Sequence, residues 1–414
     1  MQSPQISQNY LVNDMEQVRL QTFANYIKGF AFSSKDFSFD DTQTMVVRVS
    51  DFTIDSISKN EAVYIESSEK YKKYILHAGD ILIQTVGSWA NNPNSIVGKV
   101  VRVPAECDGS YLNQNIVKLL PHDINSTYLY YALKANQFPL YCVMRGQGAA
   151  NQASITLDTI FRFSFPIHTE REQNRIADIL SQYDTLIENN NKRIKVLEQM
   201  AESLYKEWFV RFRFPGYEGI SLKKQTPSGW VISSRTTDMV CPEGWEYGAF
   251  SHLGSFTRGK NITAADMVEG DIPVVSAGLE PSGYHNAHNV TGKSLTISAS
   301  GANAGYLKYH LSDIWTADCS YFQDDKKLWF IYNALKFLQP VISNLQIGAA
   351  QPHVYPKNIN KLCTIIPDND TVQVYCDKVE PIYEQIRILK EKNDNLTKQR
   401  DMLLPRLMSG KLKV

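Results

Sequence analysis

The chain has 414 residues, of which 43% are hydrophobic, and its 43 lysines and arginines balance 43 aspartates and glutamates. This length allows at least two hydrophobic cores, and the even charge disfavours a protein that holds nucleic acid alone through a large basic excess. There is no membrane-spanning apolar run and no N-terminal secretion pattern, so we expect a cytoplasmic protein with no membrane partner. The six cysteines are scattered without a CxxC pair, which predicts reduced core thiols.

The N-terminal part of the chain has the pattern of a mixed α+β domain. β-Branched and aromatic runs bounded by Gly, Asn and Pro predict strands, and residues 128–134 predict a helix. The predicted strands are residues 45–49, 80–85, 98–103, 116–120 and 161–165.

Residues 171–209, REQNRIADILSQYDTLIENNNKRIKVLEQMAESLYKEWF, follow the 3.5-residue period of a coiled-coil seam. Thr169 and Glu172 have the spacing of a capping box, and Pro215 with Gly216 end the pattern. A helix of about 40 residues would be roughly 60 Å long. The seam residues that we expect to pair with a second helix are Ile176, Leu180, Ile187, Asn190, Ile194 and Leu197.

After a linker at residues 215–230, the second half of the chain repeats the first about 200 residues later. The segment GAANQASITLDTIFRFSFP before the first long helix matches GAAQPHVYPKNINKLCTIIP before a second one. Upstream, residues 79–83 match residues 294–298, and the glycines that follow them, Gly87 and Gly98, match Gly301 and Gly305. Residues 329–338 predict a helix. The repeated unit is therefore a β-rich domain followed by a long helix.

The second heptad pattern covers residues 372–407, with a start at Asp370 or Thr371, an end at Gly410 and a possible kink at Pro405. Apolar stripes this narrow predict that the two helices pair with each other. Because each helix follows a domain, an antiparallel pairing would place the two domains at opposite ends of a rod. Asn190 and Asn393 would then fix the register at a cost in stability, or else they are solvated positions. The second set of pairing residues is Val379, Ile386, Asn393, Leu396 and Leu403, with Arg400 in the remaining seam position.

No catalytic motif is found in the sequence. VTGKS lacks the glycine that a phosphate-binding loop requires, because position 287 is alanine. His285 and His288 have HxxH spacing, but they lie in a Gly/Asn-rich segment that favours a surface loop over a metal site. GxGxxG, GxSxG and the Asn/Asp-Pro-Pro-aromatic tetrapeptide of amino-methyltransferases are absent as well. We therefore expect no catalytic residue, no metal site and no directly bound cofactor.

Five segments together resemble the DNA-specificity subunit of type I restriction-modification systems along essentially the whole chain. The strongest is the first long helix, which begins EQ-x-x-I-A-x-I-L-S-x-x-D and ends L-Y-K-x-W-F. The others are YIKGFAFSSKDF, GDILIQTVGSWANNPNSIVGKVVRV, PEGWEYGAFSHLGSFTRGK and the tail RDMLLPRLMSGKLKV. Two departures from the family pattern concern the starts of the domains. The first repeat does not begin with a Pro-x-Gly-Trp motif, whereas two such motifs, ending at Trp230 and Trp245, occur near the start of the second repeat.

The resemblance implies an α+β protein with two mixed α/β target-recognition domains separated by an antiparallel pair of long coiled-coil helices. The domains would be residues 1–167 and 215–367, the latter including the linker, and the helices would lie in residues 168–214 and 368–414. Each domain would read one half of a bipartite site in double-stranded DNA, and the helices would set the spacer. The implied protein partners are two methyltransferase subunits, which bind S-adenosylmethionine and flip the target adenine, and restriction subunits that use ATP and Mg²⁺.

Polar residues in the Gly/Asn-rich loops are the candidates for DNA contact, because Arg pairs with guanine and Asn or Gln with adenine. The same residue types are also common in ordinary turns. An alternative function is a coiled-coil adaptor that recruits protein partners and binds no DNA. The candidate DNA-contact residues are Asn91, Asn92, Arg145, Gln147, Arg258, Lys260, Asn303, Gln351 and Lys357.

Overall fold

The computed structural model describes residues 15–89, 95–149, 152–225, 239–346 and 352–414. The chain divides into two compact units: unit 1 is Met1–Asn189 with Lys392–Val414, and unit 2 is Asn190–Glu391. Each unit therefore contains one β-rich part and one portion of each of two long helices. Among the described residues, no helix combines the length and apolar character needed to cross a bilayer.

Both β-rich parts contain many short strands. In unit 1 they are β1 (Gln17–Arg19), β2 (Ala24–Lys28), β3 (Thr44–Val47), β4 (Val63–Ile65), β5 (Ile81–Gln84), β6 (Val86–Gly87), β7 (Val100–Arg102), β8 (Tyr111–Leu112), β9 (Ile116–Pro121), β10 (Gln147–Ala149), β11 (Gln152–Ser154) and β12 (Ser164–Pro166). In unit 2 they are β13 (Leu222–Gln225), β14 (Met239–Pro242), β15 (Glu246–Ala249), β16 (Thr257–Arg258), β17 (Ile272–Val275), β18 (Gly283–His285), β19 (Ser294–Ser298), β20 (Leu307–His310), β21 (Trp315–Thr316), β22 (Cys319–Phe322) and β23 (Cys363–Ile366).

Two long helices follow the β-rich parts, and shorter helices lie within those parts. The α-helices are α1 (Ser126–Lys134), α2 (Gln137–Arg145), α3 (Leu157–Phe161), α4 (Glu170–Tyr205), α5 (Leu328–Phe337), α6 (Gln339–Ser343), α7 (Pro356–Ile359) and α8 (Asn369–Met408). Helix α4 continues into a π-helical turn, Lys206–Val210. Short 3-10 turns occur at Leu20–Thr22, Ser34–Asp36, Val49–Asp51, Glu69–Tyr74, Ala105–Cys107 and Phe250–His252.

Unit 1 is built on a four-stranded antiparallel sheet with the order β2-β9-β5-β7. A second sheet, β4-β3-β8, joins β3 antiparallel to β4 and parallel to β8, and two smaller sheets are β10-β11-β6 and β1-β12. Ile83 and Val117 of the large sheet belong to one hydrophobic cluster with Leu129 of α1 and Leu180 of α4. The β-rich part and the long helices therefore share a core in this unit.

Unit 2 repeats the pairing of three of these four sheets. Its four-stranded sheet has the order β16-β22-β19-β20, and its second sheet, β18-β17-β21, again combines one antiparallel pair with one parallel pair. β15 pairs with β23 as β1 pairs with β12. Two sheets have no counterpart among the described strands. One is β10-β11-β6 of unit 1, and the other is the two-stranded β13-β14 sheet of unit 2, so part of the predicted linker is a strand.

Equivalent hydrogen bonds fix the correspondence between the two units. Gly98 N–H donates to the Gln84 carbonyl at 2.9 Å, and Gly305 N–H donates to the Ser298 carbonyl at 2.8 Å. Both glycines have positive φ, +80° and +87°, a region that favours glycine. The predicted repeat is therefore confirmed, with Gln84 equivalent to Ser298, one residue from the match proposed on sequence.

Most of the predicted elements are present near their predicted positions. The predicted helices at 128–134 and 329–338 are α1 and α5, and the first four predicted strands overlap β3, β5, β7 and β9. The predicted strand at 161–165 is wrong in its first part, because Phe161 ends α3 and the strand begins at Ser164. The Thr156 side chain accepts from the Thr159 N–H and caps α3, a local signal that competes with the aromatic run.

Both long helices begin at a side-chain cap. The capping box at α4 is confirmed: Glu172 accepts from the Thr169 N–H at 3.0 Å, and Thr169 Oγ1 accepts from the Glu172 N–H at 3.4 Å. Helix α8 starts one residue before the predicted position, because Asp368 accepts from the Thr371 N–H at 2.8 Å. The helix then continues through Pro405 to Met408.

In unit 1 the first part of α4 packs against the last part of α8. Ile176 and Leu180 of α4 lie in one hydrophobic cluster with Leu404 and Leu407 of α8, and Leu403 packs against that cluster. The early residues of one helix thus meet the late residues of the other, which is the antiparallel direction.

In unit 2 the last part of α4 packs against the first part of α8. Ile194 shares a cluster with Val379 and Ile386, and Leu197 packs against it. The Tyr375 hydroxyl donates to the Ala201 carbonyl at 3.2 Å. This direction is again antiparallel, as the fold class predicts. Among the remaining seam residues, those that are half-buried are Ile187, Asn190, Asn393 and Leu396, and the individual pairing roles remain predictions.

The Asp368 cap generates a stability prediction. Burial opposes the charged form, but hydrogen bonds from Thr371 and Trp245 hold the pKa of this carboxyl below its usual value. Asp368→Ala should lower the free energy of unfolding by about 1 kcal/mol at pH 7. A lowered folded-state pKa stabilises above the unfolded pKa of about 4, so the loss should shrink as the pH falls below it.

The measurement is urea unfolding of the full chain at pH 7 and pH 3, followed by tryptophan fluorescence. Asp370→Ala is the matched control, because Asp370 is an exposed acidic residue in the first turn of the same helix. Equal loss in the two variants at pH 7 would contradict the capping role of Asp368.

Candidate nucleic-acid interface

One edge of the four-stranded sheet of unit 2 collects polar side chains from three strands. Arg258 ends β16, Asp318 immediately precedes β22, and Ser300 follows the end of β19. Because these strands are antiparallel neighbours, the end of β16, the start of β22 and the end of β19 meet at the same edge. The Asp318 carboxylate accepts from both the Arg258 guanidinium and the Ser300 hydroxyl. We call Arg258, Asp318 and Ser300 the polar edge of unit 2.

Gly259 holds the segment after β16 close to the polar edge. Its N–H donates to the Cys319 carbonyl at 2.8 Å, and an added Cβ would lie 2.5 Å from the Ala317 carbonyl oxygen. The next residue, Lys260, donates its N–H to the Thr316 carbonyl at 2.9 Å. Its ammonium lies 6.0 Å from the centre of the Trp315 ring. Arg258 and Lys260 are therefore positioned by backbone pairing on either side of a glycine.

The remaining described candidates of unit 2 lie along the same edge. Asn303 is half-buried in the turn after Ser300, where its carbonyl accepts from the Tyr306 N–H. Ser300 forms a β-bridge with His353, whose ring stacks on Tyr355 with the centroids 6.0 Å apart. The Lys357 ammonium, on α7, lies 5.7 Å from the Tyr355 ring centre. A chain of direct contacts thus runs from the polar edge to Lys357.

Unit 1 has the same frame with different side chains. Gly29 N–H donates to the Ile116 carbonyl as Gly259 does to Cys319, so Lys28 is equivalent to Arg258. Thr85 N–H donates to the Asn115 carbonyl as Ala299 does to Asp318, so Asn115 is equivalent to Asp318. Asn115 has φ +67°, a conformation that asparagine tolerates better than most residues. Position 86, equivalent to Ser300, is valine.

Arg145 and Gln147 of unit 1 lie beside this frame. Arg145 ends α2, and its guanidinium lies 4.1 Å from the centre of the Tyr141 ring. Gln147 starts β10 and pairs with Ser154 of β11, which in turn pairs with Val86. Both candidate side chains are exposed, and the sheet β10-β11-β6 connects them to the strand edge that carries Lys28 and Asn115.

Loop length is the second difference between the units. Between the equivalent positions Gly87 and Gly98 of unit 1 the chain is longer than between Gly301 and Gly305 of unit 2. The candidates Asn91 and Asn92 fall in this longer segment, and they lie outside the described residues, as does Gln351. The equivalent glycines of the two units are therefore joined by segments of different length and sequence.

Charge at the interface is arranged in two ways. Arg145, Lys260 and Lys357 each lie over an aromatic ring, which orients a cation without neutralising it. Arg258 is instead paired with Asp318. Burial raises the pKa of the Cys319 thiol, next to this pair, to about 12, so the thiol stays neutral. Among the described residues, no group of three or more His, Cys, Asp or Glu side chains could hold a metal ion.

Lys28 and Asp318 are not among the contact residues predicted from the sequence. Lys28 lies in YIKGF, and the comparison with TRGK, where Arg258 also precedes a glycine, could have identified it. Asp318 has no local signal, because it meets Arg258 only through the register of β16 with β22, 60 residues apart along the chain.

Comparison with known proteins identifies the family of this chain. The model described as type I restriction modification DNA specificity domain matches residues 13–199 and 242–398, which is more than half of the chain. The type I restriction enzyme MjaIX specificity subunit of Methanocaldococcus jannaschii is 27% identical over 322 residues, covering 73% of both chains. The HindI specificity subunit of Haemophilus influenzae is 24% identical over 417 residues, covering 82% of this chain and 88% of that one.

A solved structure shows the same fold. The type I restriction-modification S subunit from M. genitalium has a TM-score of 0.54 at 16% sequence identity, covering 98% of this chain and 99% of that chain. The two family matches coincide with the two β-rich parts and their following helices. The chain therefore belongs to the type I restriction modification DNA specificity domain family, and it carries two copies of that domain.

Proposed function

We propose that this chain is the non-catalytic sequence-reading subunit of a type I restriction-modification complex and reads a bipartite site in double-stranded DNA. The observation that carries the proposal is that the same strand ends of the four-stranded sheet carry polar residues in both units. These residues are Lys28 and Asn115 in unit 1 and Arg258 and Asp318 in unit 2. Two different sets of polar groups on one repeated frame suit two different half-sites.

The chemistry of the polar edge of unit 2 fits base reading. An arginine fork donates to guanine O6 and N7, and an aspartate accepts from the cytosine amino group. Arg258 and Asp318 together thus offer a donor and an acceptor that could address one G·C pair. The aromatic-stacked cations Arg145, Lys260 and Lys357 suit phosphate contacts, which position a protein on DNA without reading sequence.

The partners belong to the same proposal. Two methyltransferase subunits would bind S-adenosylmethionine and modify a flipped adenine, and restriction subunits would supply ATP- and Mg²⁺-dependent cleavage, in the cytoplasm. Overall charge is zero, so we expect these subunits to contribute much of the phosphate grip.

The test is a gel shift of the full chain with the methyltransferase encoded beside it. A salt-sensitive, sequence-selective shift is expected of the complex, followed by adenine methylation at a two-part motif genome-wide that disappears when the gene for this chain is deleted. A complex that forms but binds no DNA selectively would favour a coiled-coil adaptor instead. Methyl transfer by the isolated chain would show that it is itself an enzyme.

Arg258 provides a residue-level prediction. Arg258→Ala should weaken binding by about 1–3 kcal/mol for the cognate site, and the loss should be confined to one base pair of one half-site. Lys260→Ala should instead weaken all sequences similarly and lower the salt dependence by about one phosphate contact. Competition binding on a panel of single-base variants measures both effects.

Arg387→Ala is the matched control for Arg258, since Arg387 of α8 also pairs with carboxylates, those of Glu384 and Glu391. It should leave sequence preference unchanged. A uniform loss across the panel for Arg258→Ala would assign that residue to a phosphate.

The long helices provide a prediction about spacing. Helices α4 and α8 each run continuously from one unit into the other. Inserting seven matched residues into both helices adds about 10 Å, which corresponds to about three base pairs of duplex. The methylated motif should keep both half-sites and lengthen its spacer. Altered half-sites with an unchanged spacer would show that the helices do not set the spacing.

A further inference from the structure

Arg400 is a buried charge in the seam of the helix pair. It occupies a seam position of α8 that is apolar in most heptads and Asn393 in the preceding one, and only 2% of its side chain is exposed. Its Nη1 donates to Asp184 of α4 at 2.6 Å, its Nη2 to Asp55 at 2.8 Å and its Nε to Asp401 at 2.9 Å. An arginine this deeply buried requires such carboxylates, because removing its charge from water is costly.

Side chains of α1 hold the carboxylates of Asp184 and Asp55 in place. The Tyr131 hydroxyl donates to Asp184 Oδ2 at 2.6 Å, and the Lys134 ammonium pairs with Asp55 Oδ1 at 2.6 Å. All these groups belong to unit 1. The Arg400 network therefore joins α8, α4, α1 and the loop that carries Asp55, and it links the helix pair to the β-rich part.

The corresponding place in unit 2 has different chemistry. Thr169 and Asp368 are equivalent helix caps, so position 400 of α8 corresponds to position 201 of α4, and position 184 corresponds to position 383. These positions are Ala201 and Tyr383, and the Tyr383 hydroxyl donates to Asn333 at 2.9 Å. The buried ionic network is thus a feature of one end of the repeat, not a general requirement of the fold.

The network discriminates between registers of the antiparallel helices. In the observed register Arg400 faces Asp184. A slip of one heptad, which would keep an apolar seam in contact, would place Arg400 opposite Ala177 or Asn191 instead. Neither side chain is a carboxylate, so a slipped pair would bury the guanidinium without its α4 partner.

We propose that Arg400 is a positioning residue that fixes the register of α4 against α8 in unit 1 and thereby holds the first recognition domain at one place along the helices. The consequence for DNA, a single spacer length, rests on the function proposed above. Asn190 and Asn393 were the register residues expected from sequence. Arg400 should discriminate between registers more strongly than these asparagines. A shift in register costs an asparagine amide its hydrogen bonds, whereas it costs a buried arginine the partner of its charge.

The test measures register directly in the full chain. Spin labels at Gln182→Cys of α4 and Met402→Cys of α8, both exposed positions of unit 1, report one interhelix distance by pulsed electron resonance. The parent should give one narrow distance. Arg400→Met, which keeps an unbranched apolar stem and removes the guanidinium, should give a second population displaced along the helix axis by up to about 10 Å, the length of one heptad.

Three further variants separate register from general stability. Arg400→Lys keeps a charge and should restore most of the single distance. Arg387→Met, the removal of a half-exposed arginine from the same helix, should leave the distance unchanged. Asp184→Asn removes the α4 charge while its amide oxygen can still accept from Tyr131, so it serves as the second probe if Arg400→Met does not fold.

Methylation mapping with the full complex tests the consequence. The parent should methylate one spacer length, and Arg400→Met should add spacers that differ by about three base pairs, with unchanged half-sites. An unchanged single distance in Arg400→Met and Asp184→Asn would overturn the proposal. If the parent complex methylates no two-part site, the proposed function fails, while the distance measurement still decides the register.

Discussion

The structure depends on covering the apolar stripes of two long helices. Neither stripe is stable in water alone, and each is covered in part by the other helix and in part by a β-rich domain. In unit 1, Leu180 of α4 and Leu404 of α8 share a cluster with Tyr128 of α1 and Phe165 of β12. In unit 2 the cluster around Ile194 likewise extends into the β-rich part. A domain packed in this way cannot shift along its helix without losing core contacts. The packing of each domain against the two helices therefore fixes where its polar strand ends lie along them.

Backbone close approaches keep the two edges alike while the side chains differ. An added Cβ at Gly29 would lie 1.9 Å from the Asn113 carbonyl oxygen, and at Gly259 it would lie 2.5 Å from that of Ala317. Glycine is required at both positions for the same reason, so the residue before it is presented at the same place in each unit. That residue is Lys28 in one unit and Arg258 in the other. The two units therefore share the backbone geometry at this place and differ in the side chains that the backbone carries.

The sequence predicts the parts of this design that depend on local pattern. The heptad period gives both helices, Thr169 with Glu172 gives a cap, and paired glycines give the repeat. It does not reveal the Arg258–Asp318 pair, because strand register brings those two residues together. Nor does it reveal why Arg400 is tolerated in a seam, since its partners come from three separate segments. The heptad pattern places Arg400 in the seam. It does not show whether the arginine is an unfavourable charge there or part of a buried network of ion pairs.

The surroundings of the candidate cations differ in a way that would affect DNA affinity and base specificity separately. Three of the candidate cations are held over aromatic rings, whereas Arg258 already has a carboxylate partner. Under the proposed function, the one such cation of unit 1 and the two of unit 2 would release few counterions, so this chain alone should bind DNA weakly and with a shallow salt dependence. An arginine paired with Asp318 gains little from a phosphate, because it would exchange one anion for another. It gains more from a base edge that can use both the donor and the acceptor. Under the proposed function, the pairing that lowers the affinity of Arg258 for the DNA backbone would therefore favour selective base reading, and partner subunits would supply the remaining phosphate contacts without changing which bases are read.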